Sequence, residues 1–168
     1  MKPITEQLST YALYHRDQRN IATHVIGIPM IVASVAILLS RPALNLGGAT
    51  LSAATVLAAA VLAYYFMLDI GFGVIMAALM GSALWLGQWS AAQSTATWLA
   101  LGVGGFVAGW IFQFVGHYFE GRKPAFVDDL SGLIIGPLFV LAELLFLLGL
   151  YKKLQADIVR RAGALRGR

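Results

Sequence analysis

The three histidines of this chain stand in two short polar blocks, and imidazole is the side chain most often used to bind transition metals or to move protons near neutral pH. His15 and His24 belong to the first block, and His117 belongs to the second. Glu120 follows His117 by three residues, so a helix would place both on one face. Three imidazoles and one carboxylate suit Fe(II), Zn(II), Cu or Ni. A structural zinc site is less favoured because the chain has no cysteine.

The spacing of the first two histidines requires a break in the chain. On one straight helix His15 and His24 would point apart, because nine residues rotate by roughly 180° at about 100° per residue. Asn20 is a good N-cap for the apolar helix that follows. A surface helix that ends near His15 and a new helix that begins at Asn20 would bring both rings together. Gln113, four residues before His117, shares its helix face.

The polar residues also have structural interpretations. A single histidine at a helix end is usually an interfacial polar residue, but the joint placement of all three favours a shared site. Glu143 is an acid within an apolar segment, which is either functional or a protonated hydrogen-bonding group. Arg122 and Lys123 could bind a carboxylate headgroup or simply orient the chain in the membrane.

Charged residues are scarce and unevenly placed. Only 12% of the residues are charged and 59% are hydrophobic, and the mean hydropathy is +0.76. No charge lies between Arg41 and Asp69 or between Asp69 and Glu120. A membrane crossing takes about 20 apolar helical residues, so these intervals indicate membrane helices. Half of the 12 lysines and arginines follow Leu150, and such a cluster beside a membrane helix orients the protein or binds anionic lipid and does not indicate nucleic acid.

The pattern predicts an all-α, polytopic membrane helix bundle: a single transmembrane domain over 1–168 with about five hydrophobic segments. The segments are expected at about 21–40, 48–68, 70–88, 96–115 and 133–151, followed by a basic tail over 152–168. A short amphipathic stretch, Ile4–Tyr14, is expected to rest on the membrane surface. Asp69 is expected to form the turn between the second and third segments. Pro137 should break the fifth segment, with Glu143 facing the interior.

Four crossings between the two histidine blocks would place both blocks on the same side of the membrane. By the positive-inside rule that side is cytoplasmic, because it carries Arg16, Arg19, Arg122 and Lys123. A complete fifth crossing would put the six positive charges of the tail outside. A broken or re-entrant fifth segment with a cytoplasmic tail is therefore favoured. The expected membrane is the bacterial inner membrane, or the endoplasmic reticulum in a eukaryote. The sequence does not indicate an oligomeric state.

These polar blocks resemble those of the membrane-bound 2-hydroxy fatty acid dioxygenases of fatty acid α-oxidation. The resemblance covers most of the chain. In the first block the similar residues are Tyr14-His15, Asn20, His24, Gly27 and Pro29. In the second they are Gln113-Phe114-Val115-Gly116-His117, Phe119-Glu120, Arg122 and Pro124-Ala125. A third, weaker similarity comprises Gly136-Pro137-Leu138-Phe139 and Glu143.

The resemblance implies an Fe(II)-dependent dioxygenase, an oxidoreductase that uses O₂ to shorten a 2-hydroxy fatty acid by one carbon. It implies iron ligation by His15, His24 and His117, with Glu120 as a fourth ligand or a base behind the ligands. Asn20 and Gln113 would orient the rings or the substrate, and Arg122 or Lys123 would meet its carboxylate. Two other classes stay open: a non-enzymatic lipid-binding or assembly protein with structural histidines, and a b-type haem protein with two axial histidines.

Overall fold

The structure is a computed structural model that describes residues 2–125 and 129–167. Within those residues the chain is mostly helical, with one small β-hairpin, so the all-α class is confirmed. The helices are α1 (Ile4–Ala12), α2 (Gln18–Leu38), α3 (Ala53–Leu68), α4 (Ile70–Ala91), α5 (Thr95–Glu120), α6 (Gly132–Leu147) and α7 (Lys152–Ala162). The strands are β1 (Ala43–Leu46) and β2 (Ala49–Ser52).

Three helices, α2, α4 and α5, are long and apolar enough to cross a membrane. Helix α3 is apolar but has only 16 residues, about 24 Å of helix against a hydrocarbon core of about 30 Å. The α6–α7 pair could count as one broken span, which makes four at most in the described residues. About five crossing segments are therefore not confirmed.

The predicted second segment begins as a hairpin and not as a helix. Strands β1 and β2 pair antiparallel through a two-residue loop, Gly47 and Gly48, with φ values of 57° and 93°. Such left-handed values are what a tight hairpin loop requires, and glycine adopts them without steric cost. Ser52 then starts α3 through a capping box with Thr55, so the helix begins five residues later than predicted.

The described residues separate into two compact units, one of residues 1–28 with 111–168 and one of residues 29–110. All three histidines belong to the first unit. The single domain over 1–168 stays a prediction. In the second unit Asp69 ends α3 and caps α4, since its Oδ1 accepts the N–H of Phe72 at 2.9 Å. This is the turn that the sequence predicts.

The first unit covers the apolar face of α1 with protein. Helix α1 packs against α6 and α7, and its Leu8 and Ala12 are fully buried. The amphipathic stretch is therefore a helix as predicted, but its apolar side does not lie open to lipid.

Helix α6 continues through Pro137, so the predicted break there is wrong. Pro137 stands in the second turn of the helix, where its missing N–H deprives only the carbonyl of Leu133 of a partner. The chain instead turns by 117° between α6 and α7, where Tyr151 has a φ of 53°. Glu143 is buried within the unit, as predicted.

The basic tail returns to the segment that precedes α2. The N–H of Arg166 donates to the carbonyl of Arg16 at 2.6 Å, and the N–H of Gln18 donates to the carbonyl of Arg166 at 3.2 Å. The last segment therefore does not carry the tail to the opposite side of the membrane from residue 16. This geometry removes the charge conflict that five full crossings would create.

Candidate metal centre

His15 lies in a linker, residues 13–17, between α1 and α2. The helix break that the sequence requires between the first two histidines is present. Asp17 provides the cap of α2, since its Oδ1 accepts the N–H of Arg19 at 2.8 Å. The prediction that Asn20 is the N-cap is therefore wrong. It lies in the first turn of α2, where its side chain points into the unit.

The structure brings the three imidazole rings together from the linker, α2 and α5. The centroid of the His15 ring is 4.6 Å from that of His24 and 5.0 Å from that of His117, and the last two are 5.0 Å apart. All three side chains are buried, and one nitrogen of each ring lies within 4.8 Å of the others. Such a group could hold a metal ion.

Hydrogen bonds set the tautomers of two of these rings. Nδ1 of His15 lies 2.8 Å from the carbonyl oxygen of Tyr11, and Nδ1 of His24 lies 2.9 Å from that of Asn20. A carbonyl oxygen only accepts, so each Nδ1 carries the proton and each Nε2 presents a lone pair. The two Nε2 atoms are 3.1 Å apart. Facing lone pairs repel each other unless a cation lies between them.

The donor set fits a metal ion better than a proton. Burial lowers the pKa of His15 to about 3, so this ring is neutral near pH 7 and has the lone pair that a ligand needs. Nδ1 of His117 has no hydrogen-bond partner among the described residues. Two nitrogens that bind one ion at about 2.1 Å and roughly 90° lie about 3 Å apart. Backbone carbonyls that hold the other ring nitrogens are the usual second contact of ligating histidines.

Glu120 is bound to the linker and to α2 through one carboxylate oxygen, and to Arg166 through the other. Its Oε2 accepts the N–H groups of Arg16 and Asp17, at 2.9 and 2.8 Å, and the side-chain amide of Asn20 at 3.1 Å. Its Oε1 forms an ion pair with Arg166. The group of side chains whose ligand atoms lie close enough to share a metal ion consists of the three histidines and does not include Glu120. These contacts favour a supporting position for Glu120, and its catalytic role stays a prediction.

Tyr11 packs directly on His15, a contact that the sequence did not single out. Its ring stacks on that of His15 with centroids 4.1 Å apart and an interplanar angle of 4°. Phe139 of α6 lies 5.5 Å from the same imidazole. Burial raises the pKa of Tyr11. The available sequence signal was the spacing of four residues between Tyr11 and His15.

Gly116 allows α2 and α5 to approach closely beside the rings. A Cβ atom at this position would lie 3.0 Å from Nδ1 of His24 and closer still to the side-chain oxygens of Asn20 and Thr23. Because His117 follows Gly116 directly, the missing side chain lets that imidazole reach the other two. Gly116 is part of the second block of the family resemblance, but no role was predicted for it.

The remaining predicted residues lie in different surroundings. Gln113 is buried one turn before His117, and its Nε2 has no hydrogen-bond partner among the described residues. Arg122 and Lys123 are exposed just after α5. Nη1 of Arg122 donates to the carbonyl of Leu13 at 2.9 Å.

Glu143 faces a buried guanidinium. Its Oε1 lies 3.9 Å from Nη2 of Arg16, and both side chains are buried. The burial of Arg16 lowers the pKa of its guanidinium. This pairing favours the structural interpretation of Glu143.

The fold and the site together define a helical protein with apolar spans and a buried three-histidine centre. The family described as 2-hydroxy-palmitic acid dioxygenase Mpo1-like matches residues 1–148. The 2-hydroxy-palmitic acid dioxygenase MPO1 of Saccharomyces cerevisiae is 32% identical over 157 residues, which cover 92% of this chain and 87% of the yeast protein. No solved structure matches. The chain belongs to the Mpo1-like family, and the resemblance seen in its histidine blocks is confirmed.

Proposed function

We propose that this protein is a non-haem, Fe(II)-dependent dioxygenase that uses O₂ to shorten 2-hydroxy fatty acids by one carbon. The observation that carries the proposal is the pair of facing Nε2 lone pairs of His15 and His24, with His117 beside them. The name of the yeast relative supports the substrate class. The atoms balance when a 2-hydroxy acid and one O₂ give the acid one carbon shorter, CO₂ and water, with the C1–C2 bond broken.

The three histidines would hold the iron through their free ring nitrogens. When bound, iron would supply electrons and open coordination positions for O₂ and for the 2-hydroxyl and carboxylate of the substrate. The carbonyls of Tyr11 and Asn20 keep two rings in the tautomer that can bind it. Burial of all three rings keeps water away from the reacting groups.

Two buried amides next to the rings are suited to orient the substrate. Nε2 of Gln113 and Oδ1 of Asn20 have no hydrogen-bond partner among the described residues. The first can donate to a substrate oxygen, and the second can accept from the 2-hydroxyl. We assign the substrate carboxylate to Arg122 or Lys123, which are cationic and exposed where α5 ends.

The site would lie at the cytoplasmic face of the bacterial inner membrane, or of the endoplasmic reticulum in a eukaryote. The three apolar spans support a membrane location, and the basic residues of the two blocks support the side. A fatty acid could then keep its chain in the bilayer while its polar end reaches the histidines.

The proposal is tested by turnover of 2-hydroxypalmitate under O₂, with purified protein loaded with Fe(II) without oxygen. The expected product is the acid with 15 carbons, about one equivalent per O₂ consumed, and palmitate without the 2-hydroxyl should not react. The His117→Ala variant is the matched inactive control.

The same preparation separates the other classes. A Soret band would indicate haem, and a protein without bound metal or turnover would indicate a lipid-binding or assembly role. The 3.1 Å between the Nε2 atoms supports a non-haem site, because ligands on opposite faces of a haem iron lie about 4 Å apart.

A further inference from the structure

Of the three ligand candidates, His15 alone lies outside a regular helix. His24 and His117 stand in the regular helices α2 and α5, whereas His15 stands in the linker 13–17. Ordering the residues of such a linker costs backbone conformational entropy. Tyr11 and Ala12 of α1 hold His15 on its N-terminal side. The residues that follow His15 depend on contacts from elsewhere in the chain.

The C-terminal tail, residues 163–167, supplies part of these contacts through its backbone. The tail and the linker pair as a parallel β-bridge between Asp17 and Arg166. Arg166 donates its N–H to the carbonyl of Arg16 and accepts the N–H of Gln18. The pairing therefore fixes the residues that directly follow His15.

Side chains also connect the linker and the tail. Arg16 donates from Nη1 to the carbonyl of Gly163 at 2.7 Å and from Nε to the carbonyl of His15 at 3.0 Å. The guanidinium of Arg166 pairs with Glu120. The same carboxylate holds the backbone N–H groups of Arg16 and Asp17. Arg166 thus acts on the linker both directly and through Glu120.

The tail lies beyond the part of the chain that the family match covers, which ends at residue 148. Helix α7 brings it back by packing against α1, with Ile158 buried. We propose that the tail 163–167 completes the metal centre by positioning His15, with Arg166 as the positioning residue. For the identity of the metal this inference rests on the proposed function.

Two measurements on full-length protein in detergent test the proposal: Fe(II) affinity by anaerobic titration, and hydrogen–deuterium exchange of the peptide that contains residues 13–18. Arg166→Gln should weaken Fe(II) binding about 10-fold, within the range expected when a group behind a ligand is lost, and speed exchange in this peptide. A chain that ends at Ala162 should show larger changes in the same direction. Arg166→Lys, which keeps the charge, should recover part of the affinity.

Arg161→Gln is the matched control, because it removes the same charge from an exposed position near the end of α7, just before the tail. It should leave both measurements unchanged. The proposal is overturned if folded Arg166→Gln and the truncated chain both show wild-type exchange at residues 13–18 and wild-type Fe(II) affinity. If the wild-type protein binds no Fe(II), the proposed function fails instead. The exchange comparison still decides whether the tail positions the linker.

Discussion

Nε2 of His15 lies 3.1 Å from Nε2 of His24, while the other nitrogen of each ring faces a backbone carbonyl. Neither ring can turn an N–H toward the other without losing its carbonyl partner. The two Nε2 lone pairs therefore repel each other, and a cation bound between them would relieve this repulsion.

Fe(II) should consequently raise the melting temperature of the protein, and a chelator should reverse the shift. Ligand at 100 times its dissociation constant contributes about 2.7 kcal/mol to the free energy of unfolding. Mg²⁺, which prefers oxygen ligands, should have no such effect.

His15→Ala, His24→Ala and His117→Ala should each abolish the Fe(II)-dependent shift in melting temperature, bound metal and turnover. A variant of the three that keeps full metal and turnover would remove that histidine from the site.

Gly116→Ala should lower both stability and turnover, because the new methyl would meet Nδ1 of His24 and the side-chain oxygens next to it. Such overpacking costs about 1–3 kcal/mol. Gly104→Ala is the control on the same helix, since a Cβ there meets no atom within 4 Å. It should be neutral or slightly stabilising in thermal unfolding. Equal effects of the two substitutions would show that close approach at Gly116 is unimportant.

The stacking of Tyr11 on His15 predicts different outcomes for two substitutions. Tyr11→Phe keeps the ring and should retain Fe(II) affinity within about twofold. Tyr11→Leu loses a contact worth about 0.5–1.5 kcal/mol and should weaken Fe(II) binding by up to about 10-fold. Anaerobic titration of both variants measures this. If Tyr11→Phe lost turnover but kept its affinity, the hydroxyl would have a chemical role that stacking does not provide.

Glu143→Gln should destabilise the protein with little effect on the Fe(II) affinity of the folded fraction. The substitution leaves the buried guanidinium of Arg16 without its nearby carboxylate, and breaking a buried ion pair costs about 3–5 kcal/mol. The loss in the free energy of unfolding should fall below that range, because Oε1 of Glu143 and Nη2 of Arg16 are as far as 3.9 Å apart. Denaturant unfolding measures the stability and Fe(II) titration measures the affinity, and together they distinguish a structural from a catalytic role of Glu143. Unchanged stability with lost turnover would make Glu143 a catalytic group.

The returning tail predicts a common side for both ends of the chain. Because the chain has no cysteine, single introduced thiols can be labelled one at a time in sealed vesicles. Thr10→Cys and Ala164→Cys should react with an impermeant reagent from the same side. Leu44→Cys lies beyond helix α2, which is long and apolar enough to cross a membrane, and it should react from the other side. Labelling of positions 10 and 164 from opposite sides would contradict the tail contact.

The sequence was most informative where few residues could do the chemistry. Three histidines in a chain nearly free of internal charge left few ways to build a polar site, and the spacing of His15 and His24 required the observed break. The contacts of Arg166 were not predictable, because they depend on how α7 packs against α1. The contact of Tyr11 with His15 had a sequence signal in their four-residue spacing, which was not used. Gly47-Gly48 is a sequence typical of a two-residue hairpin loop, but the apolar residues that follow it led to the prediction of a helix from position 48. The fifth segment is broken as expected, but the break was predicted in the wrong place, because α6 continues through Pro137 and the chain turns only after Leu147.

The return of the chain after the 117° turn also bears on the order of events during synthesis. The residues that contact the linker leave the ribosome about 150 positions after His15. Domains generally fold from the N-terminus as the chain emerges. The apolar helices α2, α4 and α5 are therefore complete while the linker still lacks its tail contacts. If the tail positions His15 as proposed, iron loading follows the synthesis of Arg166, and a nascent chain that stalls before Arg166 would contain all three histidines without a fixed linker.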